Sequence, residues 1–176
     1  MRLTHLILSN IGPFRGRHII DMTSPNSATG YAFFAKNSRG KTTIYNAMRW
    51  CLFGEARERG KIVNGKRIPG SIRPIVGDGK ILMNDSAYEN DDQQEMSVML
   101  IAEGKSGSIQ VNRSAKSTTK FARSDEQMEV NIDVSIGSKP LVSGKKAQEA
   151  IETFFPRGLE RFFFIDGESL EEYTEM

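Results

Sequence analysis

Cysteine is nearly absent. Cys51 is the single one among 176 residues, which excludes an intramolecular disulfide and a cysteine-built metal cluster within one chain. A reducing, cytoplasmic compartment is the default expectation. Long apolar runs are missing too: none approaches the roughly 20 residues of a membrane span, so no membrane partner is expected. The first ten residues mix apolar positions with Arg2, Thr4 and His5 and lack both the apolar core and the cleavage site of a secretory signal. Internal repeats and low-complexity tracts are absent as well. A content of 38% hydrophobic and 26% charged residues excludes a disordered chain and fits one domain with a real core.

The net charge of +2 hides an asymmetry. Residues 1–80 hold 14 Lys and Arg against 4 Asp and Glu, whereas residues 81–176 hold 10 against 18. A basic first half suits an anionic ligand, nucleotide or nucleic acid, and equally a solvated basic surface. The cluster Arg57, Arg59, Lys61, Lys66, Arg67 and Arg73 is a candidate for DNA phosphates. It lacks the interleaved aromatics that would stack bases.

Leu3 to Ile11 reads as a first strand that stops at Gly12-Pro13. A second strand is predicted at His18–Met22 after an Arg15-Gly16-Arg17 turn. Thr23 to Gly30 is loop-like, and Tyr31 to Ala35 is a compact apolar run expected to be a buried strand. From Lys41 the pattern turns helical, with Ile44, Ala47, Met48, Cys51 and Leu52 on one stripe and Gly54 placed to end the helix. Trp50 and Cys51 are expected in the core. Residues 55–95 show little periodicity and are expected to be mostly loops, with a small apolar segment at 81–83. Strands are predicted at 97–101, 108–111 and 128–136, a hairpin partner at 140–142, a helix over 145–155, a strand at 162–165 and a last helix capped by Ser169.

The chemistry is concentrated in Ala35-Lys36-Asn37-Ser38-Arg39-Gly40-Lys41-Thr42-Thr43. A turn between a strand and a helix gathers backbone N–H groups into one concavity, and the helix start adds its positive dipole end. Lys41 is then placed to set a point charge on β and γ phosphates, and Thr42 to offer a hydroxyl to magnesium. Gly40 lets the backbone approach a phosphate. Asn37, Ser38, Arg39 and Thr43 complete the candidate nucleotide-binding set. The leading glycine of the usual G-x-x-x-x-G-K-[ST] pattern is Ala35 here.

Phe162-Phe163-Phe164-Ile165-Asp166-Gly167-Glu168 is the second feature. A buried strand delivering a carboxylate at its C-terminal edge suits magnesium. One reading is a Walker-B-like strand with Asp166 at the metal and Glu168 as base, although Gly167 separates acids that this motif normally sets side by side. The alternative is an ordinary strand end with an Asp-Gly turn.

Together with the opening Leu6-Ile7-Leu8-Ser9-Asn10-Ile11-Gly12-Pro13-Phe14-Arg15-Gly16, these segments resemble SMC-like and recombination-repair ATPases of the ABC class. Asn37 and Gly40-Lys41-Thr42-Thr43 match the phosphate loop of that family, and Phe163 to Glu168 is similar to the F-F-x-D-G-E segment of its DndD branch, which serves phosphorothioate-linked and other phage-defence systems. The resemblance implies an α/β fold: the N-terminal lobe of a P-loop NTPase head of ABC type, a mixed sheet with an antiparallel β subdomain at 97–142. It puts Asp166 at the Q-loop position, 162–168, near the metal, and Arg15 near the base and ribose of the nucleotide.

The implied cofactors are ATP and magnesium. The implied partners are a second head in a homodimer, a C-terminal lobe of the same protein, DNA, and repair or defence subunits. Such heads also carry a signature motif, a Walker B strand with a catalytic glutamate and a switch histidine beyond a long coiled coil. That coil would begin after about residue 170, so the resemblance implies part of a longer ATPase. No signature sequence occurs here, and His5 and His18 both precede the loop. Two other classes stay open: a self-sufficient small phosphotransferase using Asp166 and Glu168 directly, and a non-catalytic interaction module with a decayed loop.

Overall fold

The computed structural model describes residues 2–23, 30–34, 36, 39–56, 61–63, 66–68, 75–76, 81–91, 94–104 and 107–159. Its centre is a six-stranded sheet. The strands are β1 (Arg2–Ile11), β2 (Phe14–Asp21), β5 (Glu95–Gly104), β6 (Gly107–Ser117), β7 (Met128–Ile136) and β8 (Val142–Ser143). Their order is β2-β1-β5-β6-β7-β8, and every pairing is antiparallel. A separate hairpin joins β3 (Lys61–Val63) to β4 (Lys66–Ile68). The helices are α1 (Lys41–Phe53), α2 (Asp85–Asn90) and α3 (Gly144–Phe154).

Alternation builds the core. Leu6 and Leu8 of β1, Met96, Val98, Leu100 and Ala102 of β5, and Ile109, Val111 and Ala115 of β6 all point to one buried face. Helix α1 packs on that face against β1, β5 and β6, and α3 packs beside it on β7 and β8. The predicted stripe of α1 is buried at Ala47, Met48, Cys51 and Leu52. Burial goes further than a stripe: all residues from Asn46 to Phe53 are buried, Arg49 among them. Its last two turns are therefore enclosed on every side, Trp50 included.

Several expectations change. Strand β2 starts at Phe14 rather than His18, because the two residues Gly12-Pro13 make the whole turn and Ile11 pairs directly with Phe14. The expected Arg15-Gly16-Arg17 turn is strand, with Gly16 absorbing a φ of +71°. Tyr31 to Phe34 form no strand, and Phe34 is 93% exposed. Nothing among the described residues pairs with their backbone, and every pairing among the described strands is antiparallel. Residues 55–95 contain α2 and the β3–β4 hairpin. The expected apolar segment at 81–83 is a single bridge from Met83 to Ile11. The strand at 162–165 and the helix after Ser169 lie outside the described residues.

Candidate phosphate-binding site

The start of α1 is a glycine. Gly40 is its N-cap, at φ 93° and ψ 9°, and brings no capping side chain of its own. The first turn has no acidic residue either. A helix start of this kind turns N–H groups and the positive end of the helix dipole toward the loop, which suits an anion. Lys41 lies here, with Nζ 3.2 Å from the carbonyl oxygen of Lys36, so its side chain folds back over the loop. Thr42 and Arg39 are exposed, while Thr43 is half-buried.

The β1–β2 turn lies directly beneath this loop. A Cβ added to Gly40 would stand 3.1 Å from Pro13 and from the Phe14 ring. One added to Gly12 would stand 2.5 Å from Cγ2 of Thr43. Glycine at both positions lets the two backbones approach.

The turn is in turn bolted from the other side. Its backbone is unusual, with φ at +54° for Asn10 and +47° for Gly12. The Asn10 amide donates to the Glu95 carbonyl at 3.0 Å and accepts from Gly16 N–H at 2.8 Å. Gly12 N–H donates to Leu82 O at 2.9 Å, and Asn84 N–H to Asn10 O at 2.8 Å. Asn84 Nδ2 donates to Gly12 O at 2.5 Å, and its Oδ1 accepts from Ala87 N–H to cap α2. Arg15, expected near base and ribose, donates to Ser86 Oγ at 2.6 Å and pairs with Asp91 at 2.9 Å. A contact from Arg15 to a nucleotide would have to share or break those bonds.

The far end of α1 is closed by donors from four residues. Gly54 N–H bonds Trp50 O at 2.9 Å. Arg113 Nε bonds Cys51 O at 3.0 Å, Gln148 Nε2 bonds Leu52 O at 3.0 Å, and Arg157 Nη2 bonds Phe53 O at 2.8 Å. The last four carbonyls of the helix are thereby satisfied. Two of the donors are cations, which favours the negative end of the dipole. Burial pulls the Arg113 guanidinium below its usual pKa. The hydrogen bond to Glu55 raises that of Arg157.

Among the expected site residues, Gly40, Lys41, Thr42, Thr43 and Arg39 come together at the head of α1. Asn37, Ser38, Asp166 and Glu168 lie outside the described residues. No cluster of three or more His, Cys, Asp or Glu that could hold a metal is found among the described residues. Of the expected metal ligands, Thr42 alone is described. Sequence reading passed over Asn84, Arg113, Gln148 and Arg157. For Asn84, an Asn followed by the polar run Asp85-Ser86 was the available cap signal.

Comparison with known proteins agrees with this geometry. The AAA domain family matches residues 5–175. The chain is also 34% identical over 84 residues to the SbcC component of the SbcCD nuclease of Staphylococcus haemolyticus, a match covering 48% of this chain and 8% of that protein. The chain thus spans a small part of the relative it matches. With its Gly-Lys-Thr-Thr helix start beside the Asn10–Phe14 turn, the chain belongs to the AAA domain family.

Proposed function

We propose that this chain binds ATP with magnesium and, joined to a C-terminal lobe and a second head, hydrolyses it to drive conformational change on DNA. The observation that carries this reading is the head of α1: a left-handed Gly40, a first turn without an acidic residue, and Lys41 folded back to Lys36 O at 3.2 Å. In this reading the backbone from Asn37 to Thr43 cradles the β and γ phosphates, and Lys41 neutralises their charge. Thr42 lends its hydroxyl to magnesium, with Asp166 as the second protein group at the metal. Magnesium, when bound, supplies charge neutralisation at the phosphates. Glu168 orients or deprotonates the attacking water. Arg39 lies at the loop edge, beside the phosphates.

The exposed aromatics support a second lobe. Tyr31, Phe33 and Phe34 precede the loop in sequence with 36%, 37% and 93% of their surface open. Exposed apolar side chains grouped in this way suit a contact with another lobe. The named relative is part of a nuclease, which favours repair of DNA over other settings. A role in anti-phage defence rests on the F-F-I-D-G-E likeness alone.

The test is an ATP titration with and without magnesium. Micromolar to millimolar binding that strengthens with magnesium, and is lost in Lys41→Ala, is the expected result. Equal binding by the Lys41→Ala variant would remove Lys41 from the site.

A further inference from the structure

We infer that Asn84 is a positioning residue for the phosphate loop, and that the segment 82–91 acts as a clasp holding the β1–β2 turn against it; this rests on the ATP-binding reading above. The chain of contacts is short. Asn84 Nδ2 holds Gly12 O at 2.5 Å. Gly12 lies so close to Thr43 that a single added carbon would meet Cγ2 at 2.5 Å. The next residues of the turn, Pro13 and Phe14, stand 3.1 Å from where a Cβ on Gly40 would lie. A shift of this turn toward α1 therefore meets the N-cap and the residue after Thr42, since neither Gly12 nor Gly40 has room for an added carbon.

The turn cannot hold that position alone. Pro13 has no N–H to donate. Asn10 and Gly12 both occupy the left-handed region, which for the non-glycine residue is sparsely populated and needs outside support. The Asn10 side chain is held by Glu95 O and Gly16 N–H, and 82–91 adds support on two sides. On one side stand the bonds from Gly12 N–H to Leu82 O and from Asn84 to Asn10 and Gly12. On the other, Ser86 and Asp91 hold Arg15, the first residue beyond Phe14. Asn84 is 8% exposed, so water does not readily replace its bonds. The clasp gives Arg15 a role that needs no direct nucleotide contact.

Asn84 has two jobs that substitution can separate. Its Oδ1 caps α2, and its Nδ2 holds the turn. Asn84→Asp keeps the acceptor for Ala87 N–H and turns the donor into a carboxylate facing Gly12 O. A residue that merely caps α2 would tolerate that change. Losing one or two well-placed contacts to the phosphates, at about 1.4 kcal/mol in all, predicts a loss of roughly tenfold in magnesium-ATP affinity.

The experiment measures magnesium-ATP affinity and melting temperature for the unaltered chain, Asn84→Asp, Asn84→Ala, Asp91→Asn and Lys41→Ala. Both Asn84 variants should lose about tenfold in affinity while folded at the assay temperature, and Asp91→Asn a smaller factor in the same direction. Asn84→Asp binding within about twofold of the unaltered chain would overturn the positioning role, since losing such contacts costs about tenfold. Should the Asn84 variants not fold, the exposed arm decides: unchanged affinity in Asp91→Asn overturns the clasp. Absence of ATP binding by the unaltered chain, or Lys41→Ala binding like it, would instead bring down the ATP-binding reading and the clasp with it.

Discussion

Arg157 donates from Nη2 to the carbonyl of Phe53 at 2.8 Å while its Nη1 pairs with Glu55 at 2.7 Å, closing the last open carbonyl of α1. Its partner in this cap, Arg113, does the same work deeper in the core at Cys51 O. The two differ in exposure: the Arg157 side chain is 47% open, whereas Arg113 is 7% exposed. Arg113→Ala strands a buried carbonyl and the Oε1 of Gln148, which it holds at 2.7 Å. It should cost about 3–6 kcal/mol, because hydrogen bonds to charged groups are worth about 1.5–3 kcal/mol each and two are lost. Arg157→Ala should cost only about 1 kcal/mol, as its ion pairs are screened by solvent. Urea denaturation of the two variants checks the order.

Gly12 should not accept a side chain. Alanine there adds left-handed strain of about 1–2 kcal/mol and a carbon 2.5 Å from Thr43 Cγ2. Gly16 has a φ of +71° but nothing within 4 Å of an added Cβ, so Gly16→Ala carries strain alone. Gly12→Ala should therefore be the more destabilising, and Thr43→Ser, which removes Cγ2, should restore part of the difference in the double variant. Thermal unfolding of the single and double variants measures this.

Cys51 should be unreactive in the folded chain. Its thiol is fully buried, with Sγ 3.3 Å from Val98 O, and burial pushes its pKa up from 9.0 to about 12. The folded state holds the proton more tightly than the unfolded one. The stabilisation is thus complete below pH 9 and is lost as pH rises from 9.0 toward about 12. Thiol labelling at pH 8 should proceed only after denaturant is added. Stability measured from pH 8 to 11 should fall as pH rises.

Much of this was legible in the sequence, and the failures have physical causes. Helix α1 could be read because its apolar residues recur at helical spacing and Gly54 ends it with a φ of +72°. Strands β5, β6 and β7 could be read because one face of each is core and the other is not. Helix α2 was missed because it is six residues long and buries only Ala87, leaving no periodicity to detect. The Arg15-Gly16-Arg17 turn was a false signal, since glycine marks a positive φ but not whether a strand continues through it. The cap of α1 was invisible for another reason. Arg113, Gln148 and Arg157 reach carbonyls 62, 96 and 104 positions away in the chain, and no local pattern encodes such contacts. The head of α1 was readable because all its parts are contiguous.

The central claim is that the head of α1 holds a nucleotide through Lys41. The direct measurement is isothermal titration of the chain and of its Lys41→Ala variant with ATP, with and without magnesium. Binding by the unaltered chain, strengthened by magnesium and weakened at least about tenfold in Lys41→Ala at unchanged melting temperature, is the predicted result. Binding of equal strength by both proteins, or none by a folded unaltered chain, would contradict it.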